Sequence, residues 1–327
     1  MMGSIMVTTR SFGVILLVAV GLVAGCAELA IRSAPGKEPR VSQNDLAKNA
    51  TRAFWESFYE ARYENIPQVQ TLLTAAYLEN PNDPRVALLL AHTHLWKVSE
   101  RARLSPVPPE ITDHLILAER YFAEARQLAF DDDRIPGWLG SVKLALGTIH
   151  RDERVTREGY FMVKTAAAAF PQFNDFTLSY TLVGQPHDSS RFAEAVAAMW
   201  ENLDLCFGRR YDRMRPVLEW APVAALRTDS GRARVCWNTA LVPHNVEGFF
   251  LHFGDVLLKN GQKEAAATIY RFIKTVPEYA TWRYKPALEE RLTNLDDWMA
   301  RLRDDDRAND PPYMLNSVIA CVACHAR

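Results

Sequence analysis

The stretch NVEGFFLHFGDVLLKNGQKEAAATIYRFIKTVP, Asn245 to Pro277, decides the fold. Gly248, Phe249, Leu251, His252 and Phe253 open it, and Gly254-Asp255-Val256-Leu257-Leu258 carry the same apolar face onward at helical spacing. Asn260-Gly261 then supplies the left-handed residue on which a helix stops. Glu264, Ala265, Ala266, Ile269 and Tyr270 form a second helix, and Pro277 closes the unit. Nothing in the stretch alternates with the period of two that a strand needs, so Asn260-Gly261 reads as a helix stop rather than a hairpin. The unit is two helices joined by a tight turn.

Moving outward, the same grammar recurs. Phe54-Trp55-Phe58-Tyr59, Tyr121-Phe122-Ala125-Leu128 and Phe192-Ala195-Val196-Met199-Trp200 place aromatic and aliphatic side chains at i, i+3 and i+4 among alanines. Short acidic or proline turns separate such runs at Asn80-Pro81, Asp131-Asp132-Asp133, Phe170-Pro171, Pro243 and Pro277. Pro243 and Pro277 are 277 − 243 = 34 residues apart, whereas Pro81 to Asp131 and Pro171 to Pro243 are longer and imply insertions or degenerate units. In its paired helices, small residues at the contact and proline at the exit, the unit at 245–277 closely resembles a tetratricopeptide repeat (TPR). The chain as a whole resembles bacterial lipoproteins built from TPR-like helix pairs. That resemblance implies an all-α fold, a TPR-like α-solenoid of antiparallel helix pairs over residues 44–303, with a concave face that recruits partner proteins. Each pair exposes an apolar face that only a stacked neighbour covers. Structural support alone is the competing role for these helices.

The sharpest chemical motif is Cys321-Val322-Ala323-Cys324-His325, the C-x-x-C-H pattern of covalent c-type haem attachment. Two intervening residues let Cys321 and Cys324 reach different vinyl groups of one porphyrin, and the adjacent His325 becomes the axial iron ligand. A redox-active disulfide, half of a zinc site and a chance tail are the alternatives. A zinc site needs two further ligands at suitable spacing, and no second C-x-x-C or H-x-x-x-H occurs. Only Ala326 and Arg327 follow the motif, so a haem pocket must come from the preceding chain, from a neighbouring subunit, or be left open. Asp304 to Asn316, with its acidic run and Pro311-Pro312, reads as a flexible arm carrying this tail, so residues 304–327 are expected to be linker plus haem-attachment segment. Met314 and His252 are the candidate distal ligands: methionine would raise the potential and histidine lower it.

At the other end, Arg10 precedes an apolar run from Phe12 to Ala24, too short to span a bilayer, which needs about 20 residues. Leu22-Val23-Ala24-Gly25-Cys26 resembles a bacterial lipobox, which implies a signal peptide at 1–25, acylation of Cys26, and an anchor or linker over 26–43. Two or three acyl chains hold firmly, at ~0.8 kcal/mol per buried methylene. Ala27 after that cysteine favours the outer membrane if the general sorting rule for such proteins holds. Export would place the thiols in an oxidising compartment, where disulfides persist. Cys206 and Cys236 are 236 − 206 = 30 residues apart and form a disulfide candidate, with two separate buried thiols as the alternative.

The 327 residues, 48% hydrophobic and 24% charged, have the balance of a globular protein. Lys plus Arg is 38 against Asp plus Glu 39, which gives no electrostatic case for nucleic acid. His92 and His94 lie two apart on a helix and point to different faces. No nucleophile elbow, phosphate loop, dinucleotide fingerprint or H-E-x-x-H is present, so an electron carrier or scaffold is expected rather than an enzyme. The sequence therefore predicts a lipid-anchored envelope protein with one covalent haem c. It would transfer electrons within a membrane-associated complex whose other proteins contact the helical array. A non-redox TPR lipoprotein acting as a binding subunit is the first alternative, and a thiol–disulfide protein using Cys321 and Cys324 the second.

Overall fold

The computed structural model describes residues 28–60, 62–99, 101, 104–237, 245–304 and 306, and the chain divides into two compact units at Glu38 and Pro39. In the first unit, residues 28–32 form a short helix in which Arg32 Nε donates to Glu28 Oε1 at 2.9 Å.

The second unit is all-α; no strand occurs among the described residues. Its helices run α1 (Asp45–Tyr59), α2 (Ile66–Glu79), α3 (Pro84–Ser99), α4 (Ile111–Leu128), α5 (Ile135–His150), α6 (Glu153–Ala169), α7 (Pro171–Leu182) and α8 (Ser190–Cys206). A short α9 (Trp220–Ala224) follows, then α10 (Val246–Lys259), α11 (Lys263–Ile273), α12 (Lys285–Thr293) and α13 (Leu295–Arg303). Consecutive helices pack as antiparallel neighbours, α1 on α2, α3 on α4, α5 on α6, α7 on α8, and α10 on α11, in the TPR-like arrangement.

Local chemistry sets these boundaries. Asn44, Asp152, Ser189 and Asn245 each accept a backbone N–H of the first turn of their helix, satisfying donors that have no intrahelical partner. Prolines stand in the first turn of α2, α5, α7 and α12, where the missing N–H costs nothing. Gly261, at φ +78°, provides the left-handed stop between α10 and α11.

Pairing of α5 with α6 depends on glycine. A Cβ on Gly159 would stand 2.5 Å from Leu144 N and 2.6 Å from Gly140 O, so the two backbones touch where no side chain fits. A buried ion pair joins α10 to α12. Arg291 on α12 donates Nε to Asp255 Oδ1 at 2.7 Å and Nη2 to Oδ2 at 3.0 Å, and the Tyr270 hydroxyl donates to the same carboxylate at 2.5 Å. The Arg291 guanidinium also lies 4.1 Å from the centre of the Trp298 ring.

The chain just ahead of α1 is tied to the packed unit: Arg40 N donates to Asn82 O at 2.9 Å and Ser42 N to Asp83 Oδ2 at 2.6 Å. Residues 207–237 form irregular chain, α9 and a 3-10 turn at Arg232–Cys236 rather than a helix pair, which accounts for the long interval between Pro171 and Pro243. Early and late parts of the chain also meet. Tyr284 packs on the cluster of Tyr63, Ile66 and Trp96, and Arg283 Nη1 donates to Glu60 O at 3.2 Å.

Candidate functional site

Cys206, the last residue of α8, is bonded to Cys236 at the end of the 3-10 turn, with a Cα–Cα distance of 5.6 Å. The bond pins the irregular 207–237 segment onto the helices. Above it lies a small cleft, continuous with solvent, between α7, α8, that turn and the first half of α10. Phe173 and Phe176 on α7, Phe207 after α8, and Phe249 and Phe250 on α10 form its walls. Phe249 stands edge-on to Phe250 at 5.1 Å and tilted against Phe176 at 5.8 Å, so the aromatic surface is continuous. Phe176 and Phe249 are only half-buried.

Polar groups in the cleft are occupied in holding its frame. Asn202 Nδ2 donates to the Pro171 and Gln172 carbonyls at 3.2 and 2.9 Å, and Asn245 Oδ1 caps α10 at Gly248 N, 2.7 Å. Asp175, next to Phe176 in α7, is buried, and its Oδ2 finds no hydrogen-bond donor among the described residues. Burial first, and the nearby Glu201 charge second, push its carboxyl up to about 8. Glu247, in the first turn of α10, is likewise raised by burial.

Of the sequence-predicted site residues, His252 and the two disulfide cysteines are described. His252 is buried one turn after Phe249, its ring 5.5 Å from that of Phe176 and 6.0 Å from that of Tyr180, behind the aromatic wall. Cys26, Met314, Cys321, Cys324 and His325 lie outside the described residues. His92 and His94 do part company. His92 meets the rings of Phe122 and Trp138 at 5.0 and 4.4 Å, and burial lowers its pKa to about 3. His94 Nδ1 lies 2.9 Å from His114 Nδ1 on α4, and burial, then His114, lowers it to about 4. Among the described residues no group of three or more His, Cys, Asp or Glu side chains is placed to hold a metal ion, and no helix is long and apolar enough to cross a membrane.

The cleft and Asp175 escaped the sequence reading. The signal was present in part: phenylalanines at 173 and 176, and at 249 and 250, flank the disulfide candidate in sequence, but only the packing of α7 against α10 shows that they face one another. Comparisons with models of known protein families, with curated proteins and with solved structures found no match.

Proposed function

We propose that this protein is an exported, lipid-anchored c-type haem protein that passes electrons within a membrane-associated complex, its TPR-like helices serving as the scaffold for protein contacts. The observation that carries the reading is the Cys321-Val322-Ala323-Cys324-His325 motif. Cys321 and Cys324 would hold the porphyrin as thioethers, and His325 would ligate the iron from one side. The donor set fits: two thiols and an imidazole at this spacing match one haem edge and one axial position. Bound there, haem supplies a one-electron couple. Met314 and His252 remain the candidates for the second axial position.

One feature of the folded body is compatible with this role: the Cys206–Cys236 disulfide suits an oxidising compartment, where c-type haem is also attached. The chain's own part in electron transfer would be to hold the group through Cys321 and Cys324 and to set its potential through the axial ligands.

Production of the full chain in a host competent for haem c maturation tests the reading. The expected result is a red protein with a sharp reduced α-band, covalent haem on a denaturing gel, and the mass of one added haem. A colourless product with both Cys321 and Cys324 intact would end the haem reading and leave a binding subunit of an envelope complex.

A further inference from the structure

We infer that the irregular chain between α8 and α10 carries a bilayer-docking surface, on which Arg209, Arg210 and Arg215 meet anionic phospholipid headgroups while Met214, Val217 and Leu226 enter the apolar boundary beneath them. The inference is independent of the haem reading and uses neither end of the chain.

Charge is the first observation. Residues 207–237 hold seven arginines and no lysine against Asp212, Glu219 and Asp229, a balance of 7 − 3 = +4 in a chain whose net charge is −1. Arg213, Arg227 and Arg232 are paired, with Asp204, Glu278 and Asp133. Arg210 and Arg215 are exposed, and neither guanidinium is hydrogen-bonded to a described residue. Asp212, the acid between them in sequence, is turned to the backbone: its Oδ1 accepts from Met214 N at 2.8 Å and from Arg215 N at 3.0 Å.

The second observation is apolar exposure at the same place. Met214 and Val217 leave 66% and 65% of their surface to solvent, and Leu226 leaves 43%. One such side chain alone is ordinary. Here they share a loop with the arginines. Arg209 Nη2 donates to Val217 O at 2.8 Å, so the chain doubles back on itself, and a Cβ on Gly208 would stand 3.4 Å from Leu226 Cδ1, which brings Leu226 onto the same loop. Binding at a bilayer surface grows with the apolar area buried and with attraction to anionic lipid, and long cationic side chains keep their heads among the phosphates.

The third observation is a fixed mount. Asp204 Oδ1 accepts from Tyr211 N at 3.0 Å and from Arg213 Nη1 at 2.8 Å, and Gln262 Nε2 donates to Arg213 O at 3.2 Å. The backbone is held from α8 and from the start of α11, so little ordering is left to pay on docking. An acidic protein surface would answer the charges, whereas a bilayer also covers Met214, Val217 and Leu226 without a matching pocket.

The test is co-sedimentation of the mature chain, residues 26–327 with Cys26→Ala so that no acyl group contributes, with vesicles of mixed phosphatidylglycerol and phosphatidylcholine or of phosphatidylcholine alone. The expected result is binding to the mixed vesicles only, weakened by added salt. Arg210→Gln with Arg215→Gln should lower the partition coefficient about 25-fold, at about fivefold per arginine near an anionic surface. Met214→Ser with Val217→Ser should weaken binding and leave its salt dependence unchanged. Arg154→Gln with Arg157→Gln, an equal loss of charge on the exposed side of α6, should bind as the unsubstituted chain does. Failure to bind mixed vesicles, or an equal loss in the two arginine double variants, overturns the inference. Binding to polyglutamate without binding to vesicles overturns it in favour of an acidic protein partner.

Discussion

A carboxylate and a guanidinium that both lose water must satisfy each other. Asp255 and Arg291, each about 1% exposed, do so through two hydrogen bonds, with Tyr270 supplying a third to the carboxylate. Burial works against the Asp255 charge, while the neighbouring Arg291 and Tyr270 favour it. Removing one partner strands the other, so Asp255→Ala is expected to cost about 3–5 kcal/mol, measured as a lower denaturant midpoint. Asp175 has no such partner and makes a different prediction. Its folded pKa of about 8 lies above the unfolded value of about 3.9, so the folded state holds an extra proton between those limits. The associated stability is complete below about pH 4 and lost as pH rises through about 8. Asp175→Asn should therefore raise the melting temperature at pH 8 more than at pH 5. Equal shifts at the two pH values would assign the acid an ordinary ionised state.

At the scale of elements, α5 packs closely on α6 through Gly140, Gly147 and Gly159, where a side chain would not fit. Gly159→Ala gains about 1 kcal/mol of helix propensity. It also drives a methyl group into the backbone of Leu144, and overpacking of this kind costs about 1–3 kcal/mol. The expected net effect is a lower melting temperature by calorimetry, against the rise that an exposed helical glycine would give. The disulfide at Cys206–Cys236 closes a loop for which chain entropy gives about 3–4 kcal/mol; the double serine variant should lose that much in equilibrium unfolding. Helix ends were legible where proline, glycine and asparagine punctuate them: Pro81, Pro171 and Asn260-Gly261 all mark observed boundaries. The 207–237 segment was not legible as structure, since it lacks periodicity and owes its place to a covalent bond and to Phe207 stacked on Trp237 at 5.8 Å. The union of Asp255 with Arg291 was equally hidden. Amphipathic spacing says which face of a helix is buried and is silent on which neighbour covers it.

For the whole molecule, the contact of Tyr284 and Arg283 with the region after α1 separates this array from an open stack of repeats, each of which touches only its neighbours. Unfolding followed by circular dichroism and by tryptophan fluorescence should give coincident single transitions, and Tyr284→Ala should make the two curves diverge. Legibility was split at this scale. The Cys321 to His325 motif is plain in the letters, whereas the aromatic cleft exists only once helices distant in sequence are folded together. The anchoring proposal belongs here too: Cys26→Ala is expected to move the protein from the membrane fraction to the soluble one, and continued sedimentation with membranes would count against acylation at that cysteine.

An open stack can lengthen by duplicating a helix pair, because a new unit asks only for one more neighbour. Here the segment at Tyr284 already rests against Tyr63 and Trp96, so an extra pair inserted anywhere between them would wedge that junction apart. A variant carrying a duplicated helix pair would therefore give up this contact, whereas an open stack would lose none.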